Sequence, residues 1–529
     1  MAGLALTTTR PPKLRFGAGW RKTEEAETAA PLPLRRIAAD IALGRRPDER
    51  LTTFLRTKDI AVALRDWFGS DISGLKDSNA LLGAIERDIA FLDEMLTVQL
   101  NAVLHNRKFQ RLEASWRGMA YLCDCAAQAP SVLVRALNIS WHEMATDFER
   151  ALDFDQSHLF QKVYSNEFGM PGGVPFGVLL CDYEVRHRLT PHHPVDDVAT
   201  LIGLSGVAAA AFAPAILGVS PKLLGIDSFR DLAYVTSLSG LFRSEEYARY
   251  NRLRSTADSR FLGLVLPRVL MRAPYSADGM HGLPFRYRED LRGLAHEDHC
   301  WGSAVYAFGE VLVRGFQAHG WFADICGTRR DEIDHGLVTR LSAPSAETDA
   351  PGLVARFASE LAIPKNVEYD LWRLGLITLG VCKDTSYLAF DTSVSVQAVA
   401  TYQSAIATMN ARISSMLRYI LCVSRIAHYV KVRIRDRVGA YVTEEACERD
   451  LQSWLHGYCL GNDDASAEMK ARFPLREATA EVRAIPGRPG SFSCVLHLRP
   501  HFQIDQIFTT FKLVTDLSLV TARSATPNR

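Results

Sequence analysis

Residues 168–184 read FGMPGGVPFGVLLCDYE: four glycines and two prolines, then an uncharged apolar run closed by Asp182, Tyr183 and Glu184. Glycines beside an apolar run suggest a phosphate cradle, and the residue order decides against one. A P-loop needs a Lys and a hydroxyl directly after its last glycine to hold phosphate and magnesium, and neither follows here. A dinucleotide fingerprint places its glycines after a strand, opening a helix, whereas these precede the run. Pro171 and Pro175 also remove two amides from any anion-binding nest. The stretch therefore reads as a tight turn leading into a buried strand.

Working outward, apolar runs of strand length alternate with helical periodicity. SVLVRALNIS (131–140) reads as a strand and WHEMATDFERAL (141–152) as a helix. SRFLGLVLPRVLM (259–271) reads as strand, WGSAVYAFGEVLVRGFQAHG (301–320) as helix and LGLITLG (374–380) as strand. The fold class expected is mixed α/β (α+β), multi-domain, with long helices. One long helix is expected over 77–126, where Leu81, Ile85, Ile89, Leu92, Leu96 and Leu100 recur every three or four residues. A second is expected over about 403–438. Its apolar face carries Ile413, Met416, Ile420, Ala427, Val430 and Ile434, and its arginines are expected on a solvated or subunit-facing surface. Thr443 followed by acids caps a further helix over 441–460. At the C-terminus REATAEVRA (476–484), the turn IPGRPGS (485–491) and FSCVLHLRP (492–500) alternate with period two and read as a β-hairpin, followed by a β-rich QIFTTFKLV (506–514). The organisation expected is a flexible arm with a short amphipathic helix (1–75), a long helical segment (76–130), an α/β core with an insertion (131–400), a helical segment (401–475) and the C-terminal strands (476–529).

The totals narrow the function class. Across 529 residues, 61 Lys and Arg stand against 60 Asp and Glu, a net charge of +1. No global field draws nucleic acid or an anionic membrane to such a chain. VATLIGLSGVAAAAFAPAILGVSP (198–221) carries no charge, yet its alanines, glycines and Pro214 favour a helix buried in protein over a bilayer span. The ten cysteines include no C-x-x-C pair and sit mostly among apolar neighbours, as buried free thiols of a reducing cytosol do. HEDHC (296–300) carries Cys300 where the zincin pattern needs its second His. His192 and His193, between prolines, read as solvated. No nucleophile elbow occurs. No catalytic, cofactor or metal site is expected.

Several longer segments carry a family pattern. FLDEMLTVQLNAVLHNRKFQRLEASWRGMAYL (91–122), FDQSHLFQKVYSNEFGMPGGVPFGVLLCDYE (154–184), SPKLLGIDSF (220–229), SRFLGLVLPRVLMRAPY (259–275), LRYILCVSRIAHYVKVRIRDRVGAY (417–441), AEMKARFPLREATAEV (467–482) and PGRPGSFSCVLHLRPHFQIDQI (486–507) occur in this order. Together they resemble the large contractile-sheath subunit of bacterial type VI secretion systems, the TssC/VipB (EvpB) family. The resemblance implies a cytoplasmic structural protein that is not an enzyme. It implies pairing with a small sheath subunit (TssB/VipA type) and stacking with further copies of itself into a helical six-start sheath. It also implies an inner Hcp tube, a baseplate, and disassembly by a ClpV-type AAA+ ATPase. Partner strands would pair with the C-terminal hairpin, here at Thr479, Glu481, Val482, Arg483, Cys494, Val495, Leu496, His497 and Leu498. The amphipathic helix at Leu34, Ile37 and Ile41 is the candidate for ATPase recognition. Residues 1–75 and His105-Asn106-Arg107 depart from the family pattern. A sheath-like component of another contractile injection system, or a divergent paralogue that assembles without the small subunit, is the alternative reading.

Overall fold

AILGV at 215–219 and LGLVL at 262–266 contain no polar side chain, and every residue in both runs is buried. Such strands need cover on both faces, which a parallel sheet between helical layers provides. The computed structural model describes residues 54–68, 77–170, 172–275, 285, 287–291, 296–328, 335–341, 357–383, 385–436, 443–462, 465–484, 492–501 and 511–516. It divides into two units, Met1–Leu104 with Tyr275–Asp290, and His105–Pro274 with Leu291–Arg529.

In the first unit, α1 (Ile60–Phe68) and α2 (Ser78–Leu104) meet where Trp67 donates its indole N–H to the buried Asp88 at 2.8 Å. Half of the apolar face read from the sequence stays exposed, at Ile89, Leu96 and Leu100, the first two about half accessible. The single helix expected over 77–126 is in fact two. Asn106 takes an extended backbone and its side chain accepts the N–H groups of Lys108 and Phe109, which starts α3 (Arg107–Ala127) afresh in the second unit.

The second unit is built on a six-stranded sheet of β1 (Leu179–Val185), β2 (Ala215–Val219), β3 (Leu262–Leu266), β6 (Leu337–Val338), β7 (Ile377–Val381) and β8 (Leu388–Phe390), in the order β1-β2-β3-β7-β8-β6. β1, β2, β3 and β7 run parallel; β8 is antiparallel to both β7 and β6. β4 (Val269–Arg272) and β5 (Cys300–Gly302) form a separate pair. Alternation sends Leu217, Leu262 and Leu264 into one core with α4 (Trp141–Arg150) and α5 (Asp197–Ala211). Ile216, Val265 and Ile377 enter a second core with α6 (Val305–His319) on the other face. The glycine turn does feed a strand, which begins at Leu179, but as an edge strand it is half-buried, and of its residues only Val185 is fully buried.

Three expectations are corrected. Residues 131–140 join no sheet; Val132, Val134 and Ile139 pack inward while Leu133 and Leu137 are exposed. The period-two pattern there reports an extended chain with one packed side, and no neighbour supplies a ladder. The uncharged stretch 198–221 is a buried helix followed by the buried strand β2, broken where Phe212 takes a left-handed φ of 50° ahead of Pro214. Among the described residues no helix is long and apolar enough to cross a membrane. The helix expected over 403–438 splits into α7 (Ala405–Ser414) and α8 (Leu417–Asp436), because the N–H of Leu417 leaves the helical ladder and donates to the carbonyl of Ser393 at 2.7 Å.

α8 starts in the second core, through Leu417 and Leu421, and continues into a third, through Ile426, Ala427, Val430 and Ile434. Three of its cations pack on groups of this chain, where the sequence reading expected a solvated or subunit-facing surface. Arg425 lies over Tyr429 and Phe316, Arg433 forks onto Asp450 at 2.8 and 3.0 Å, and the Lys431 ammonium sits about 5 Å from the rings of Tyr164, Phe168 and Phe212. Buried His428 donates from Nε2 to the carbonyl of Ala211 at the end of α5, and burial lowers its pKa to about 4.

Candidate functional site

The C-terminal sheet follows from strict alternation. β9 (Leu475–Ala484) and β10 (Phe492–Pro500) pair antiparallel from Phe492↔Ala484 to Leu498↔Ala478, as the hairpin reading expects. On one face Ala478, Ala480 and Val482 join Cys494, Leu496 and Leu498, all buried. They pack on Cys447, Leu451 and Leu455 of α9 (Glu444–His456) and on the third-core residues of α8. Burial pushes the Cys494 thiol up to about 12, so it serves as a small apolar side chain. The other face carries Glu477, Thr479, Glu481 and Arg483 with Val495, His497 and Arg499. Its ion pairs are loose, at 3.4 Å for Arg499–Glu477 and 3.7 Å for His497–Glu481. Exposed pairs of this kind add little to stability.

Within one molecule the hairpin does not stand alone. β10 is the middle strand, because β11 (Phe511–Asp516) pairs along its other side from Ser493↔Asp516 to Leu498↔Phe511. Cys494, Val495, Leu496, His497 and Leu498 therefore have main-chain partners on both sides within one molecule. The outer side of β9 is also occupied. The N–H of Ala480 donates to Gln452 Oε1 at 2.9 Å, that of Val482 to Glu448 Oε2 at 3.0 Å, and that of Ala484 to Glu444 Oε2 at 2.8 Å. Gln452 Nε2 donates in turn to the carbonyl of Ala478 at 2.8 Å. The acceptors stand four residues apart on a helix, about 6 Å, and the amides two apart on a strand, about 6.8 Å, a mismatch that flexible side chains absorb. Among the described residues, β11 pairs only with β10.

This row of acceptors was missed in the sequence, where 441–460 showed only its N-cap. The signal was present as E-x-x-x-E-x-x-x-Q at 444, 448 and 452. Leu34, Ile37 and Ile41 lie outside the described residues.

Elsewhere the polar groups hold elements together. Asp197 is buried and accepts from the Trp141 indole N–H, from the N–H of Arg186, and from His193 Nε2, each at 2.7 Å. His193 is thus an anchor, against the solvated reading. HEDHC forms a short turn at His296–Asp298 leading into β5. There Glu297 pairs with Arg107, and Gln110 donates to the carbonyls of Glu297 and Asp298. Asp182, raised by burial, accepts from Ser115 at 2.5 Å and from Tyr306 at 3.0 Å, locking β1 to α3 and α6. Gly118 is required at that contact, since a Cβ there would meet the Tyr306 ring at 2.3 Å. Among the described residues no group of three His, Cys, Asp or Glu is placed to hold a metal ion. A cavity bordered by Tyr419, Cys422, Ile426, Leu475, Leu498 and Pro500 offers about 10 Å³, room for about one water at most.

Residues 86–397 match the EvpB/VC_A0108 tail sheath N-terminal domain, and residues 406–517 the tail sheath gpW/gp25-like domain of the same family. The chain belongs to the EvpB/VC_A0108 tail sheath family. It is also 33% identical over 443 residues to the type VI secretion system sheath protein TssC1 of Pseudomonas aeruginosa, covering 83% of this chain and 87% of that protein. It is thus a large structural subunit of a type VI contractile sheath. Within this sheath subunit, the first family domain takes in the six-stranded sheet, and the second takes in α7, α8, α9 and β9 to β11.

Proposed function

We propose that this sheath subunit pairs with a small sheath subunit and stacks with copies of itself into a helical tube that contracts to drive an inner Hcp tube outward. The observation that carries this reading is the C-terminal sheet, packed on its own core through one face and closed by protein on one edge. An extended segment from a neighbour adds to such a sheet through main-chain hydrogen bonds, with little demand on side chains. Strands passed from one subunit to the next make a heterologous contact, which propagates into a filament. Thr479, Glu481, Arg483, Val495 and His497 would present the outer face of that joint, and β11 its main-chain edge. Two packings of the same linked bodies would then store the contraction energy.

The same reading places the chain in the cytoplasm, without catalytic activity, beneath a baseplate. Its N-terminal residues Leu34, Ile37 and Ile41 would be read by a ClpV-type ATPase that recycles the contracted sheath. The test is electron microscopy of the full chain co-expressed with the small subunit encoded beside it. Tubules that form only in the co-expression support the reading. Tubules from the large subunit alone would favour assembly without the small one, and a stable monomer unaffected by the partner would overturn both.

A further inference from the structure

We propose that α9 is an edge guard: Glu444, Glu448 and Gln452 close β9 to added strands and confine main-chain exchange between subunits to β11. This inference rests on the strand-exchange reading above and decides which side of the sheet takes part. Antiparallel pairing alternates, so residues whose N–H faces β10 leave their neighbours facing outward. On β9 the outward amides include those of Ala480, Val482 and Ala484, and these three are taken by side chains of one helix. The outward carbonyl of Ala478 is taken too. An incoming strand would have to displace two carboxylates and an amide and move a helix whose Cys447, Leu451 and Leu455 are fully buried.

The guard is anchored from behind. Arg433 of α8 forks onto Asp450, two residues from both Glu448 and Gln452 and so on the opposite side of α9 from the acceptor row. Carboxylates suit the task because they only accept hydrogen bonds, so Glu444 and Glu448 repel the carbonyls of a competing strand while holding the amides. On the far side of the sheet the same alternation turns the main-chain groups of Lys512, Val514 and Asp516 away from β10. The partner that fits there is an extended, proline-free segment of another sheath subunit.

The experiment uses the full chain assembled with its small subunit, in three forms: wild type, Glu444→Ala/Glu448→Ala/Gln452→Ala, and the conservative Glu444→Gln/Glu448→Gln. Amide-resolved hydrogen exchange is expected to show Ala480, Val482 and Ala484 protected in wild type and in the Gln form. In the Ala form they should exchange at least tenfold faster, with Thr479, Glu481 and Arg483 unchanged. A photo-crosslinking residue is then placed at Lys512 or at Ala484. Capture of a second chain from position 512 alone is expected in wild type, with capture from 484 emerging in the Ala form. Unprotected even-numbered amides, or wild-type capture at 484, would overturn the guard and leave strand exchange standing. Tubules that form with capture at neither position would overturn strand exchange at this sheet, while the amide rates still decide on the guard. If the Ala form does not fold, protection in wild type and the Gln form, with the two crosslinking positions, decides the matter.

Discussion

The two principal sheets of the second unit solve the same problem in opposite ways. In the six-stranded sheet, β2 and β3 lie between neighbours on both sides and between helical cores on both faces, and every residue of both strands is buried inside the subunit. In the C-terminal sheet only one face is packed, one edge is closed by side chains standing in for a strand, and the other pairs with nothing further among the described residues. The first design suits a body that must keep its shape. The second leaves, among the described residues, one main-chain edge without a strand, the edge proposed above as the joint between subunits.

The strongest way to break this contrast is to remove residues 511–529 and image the product with its small subunit. Tubules are expected to vanish while the thermal transition of the α/β body stays in place; normal tubules would show that the open edge is not the joint. Core truncations come next. Leu264→Ala, in a sheet covered on both faces, is expected to cost about 3–5 kcal/mol in denaturant titrations. Leu496→Ala is expected to cost about 2–4 kcal/mol, since a sheet with one free face collapses more easily around the loss. Equal costs would remove the mechanical distinction.

A titration sharpens it further. At the margin of the central sheet Glu184 of β1 holds Arg268 through two hydrogen bonds, of 2.5 and 2.8 Å. Buried Glu360 stands 3.7 Å from the same guanidinium. Burial, only partly offset by Arg268, raises Glu360 to about 7. The folded state therefore keeps a proton that the unfolded state releases near the ordinary carboxylate pKa, so this group costs stability as pH rises from about 4.5 to 7. Glu360→Gln is expected to be more stable than wild type at pH 8, by about 1–3 kcal/mol, and to match it at pH 4. A gap independent of pH would refute the assignment. The smallest effect is expected at the guard: Glu448→Ala should cost about 1 kcal/mol, and Glu448→Gln close to nothing, because the amide oxygen still accepts from Val482.

Sequence made β1, β3 and β7 legible because they are apolar runs too short for helices, while β2 was hidden in the uncharged stretch read as one buried helix; the hairpin was legible because alternation flanks a Pro- and Gly-rich turn. The helix breaks at Asn106 and Ser415 were hidden by apolar spacing that continues across them, and only a cap or a diverted amide marks the stop. The arginines of α8 misled for a related reason: charge pattern predicts water, whereas a guanidinium stacked on Tyr429 is half-buried. Hardest to foresee was the closure of β9, which depends on a helix lying beside a strand in a register that no local pattern encodes. The nine hairpin residues lie on β9 and β10; with pairing along β10 and acceptors along β9, the edge without a strand among the described residues is that of β11.

Consider finally the single helix α8, 20 residues long and so about 30 Å, rooted at Leu417 in the body and at Ile434 under the terminal sheet. A tug on the proposed joint would travel along a rod gripped at both ends, with Lys431 wedged among three rings partway along. Neighbours that pull on one another would thus turn whole bodies, as a crank turns a wheel, and bend very little within them.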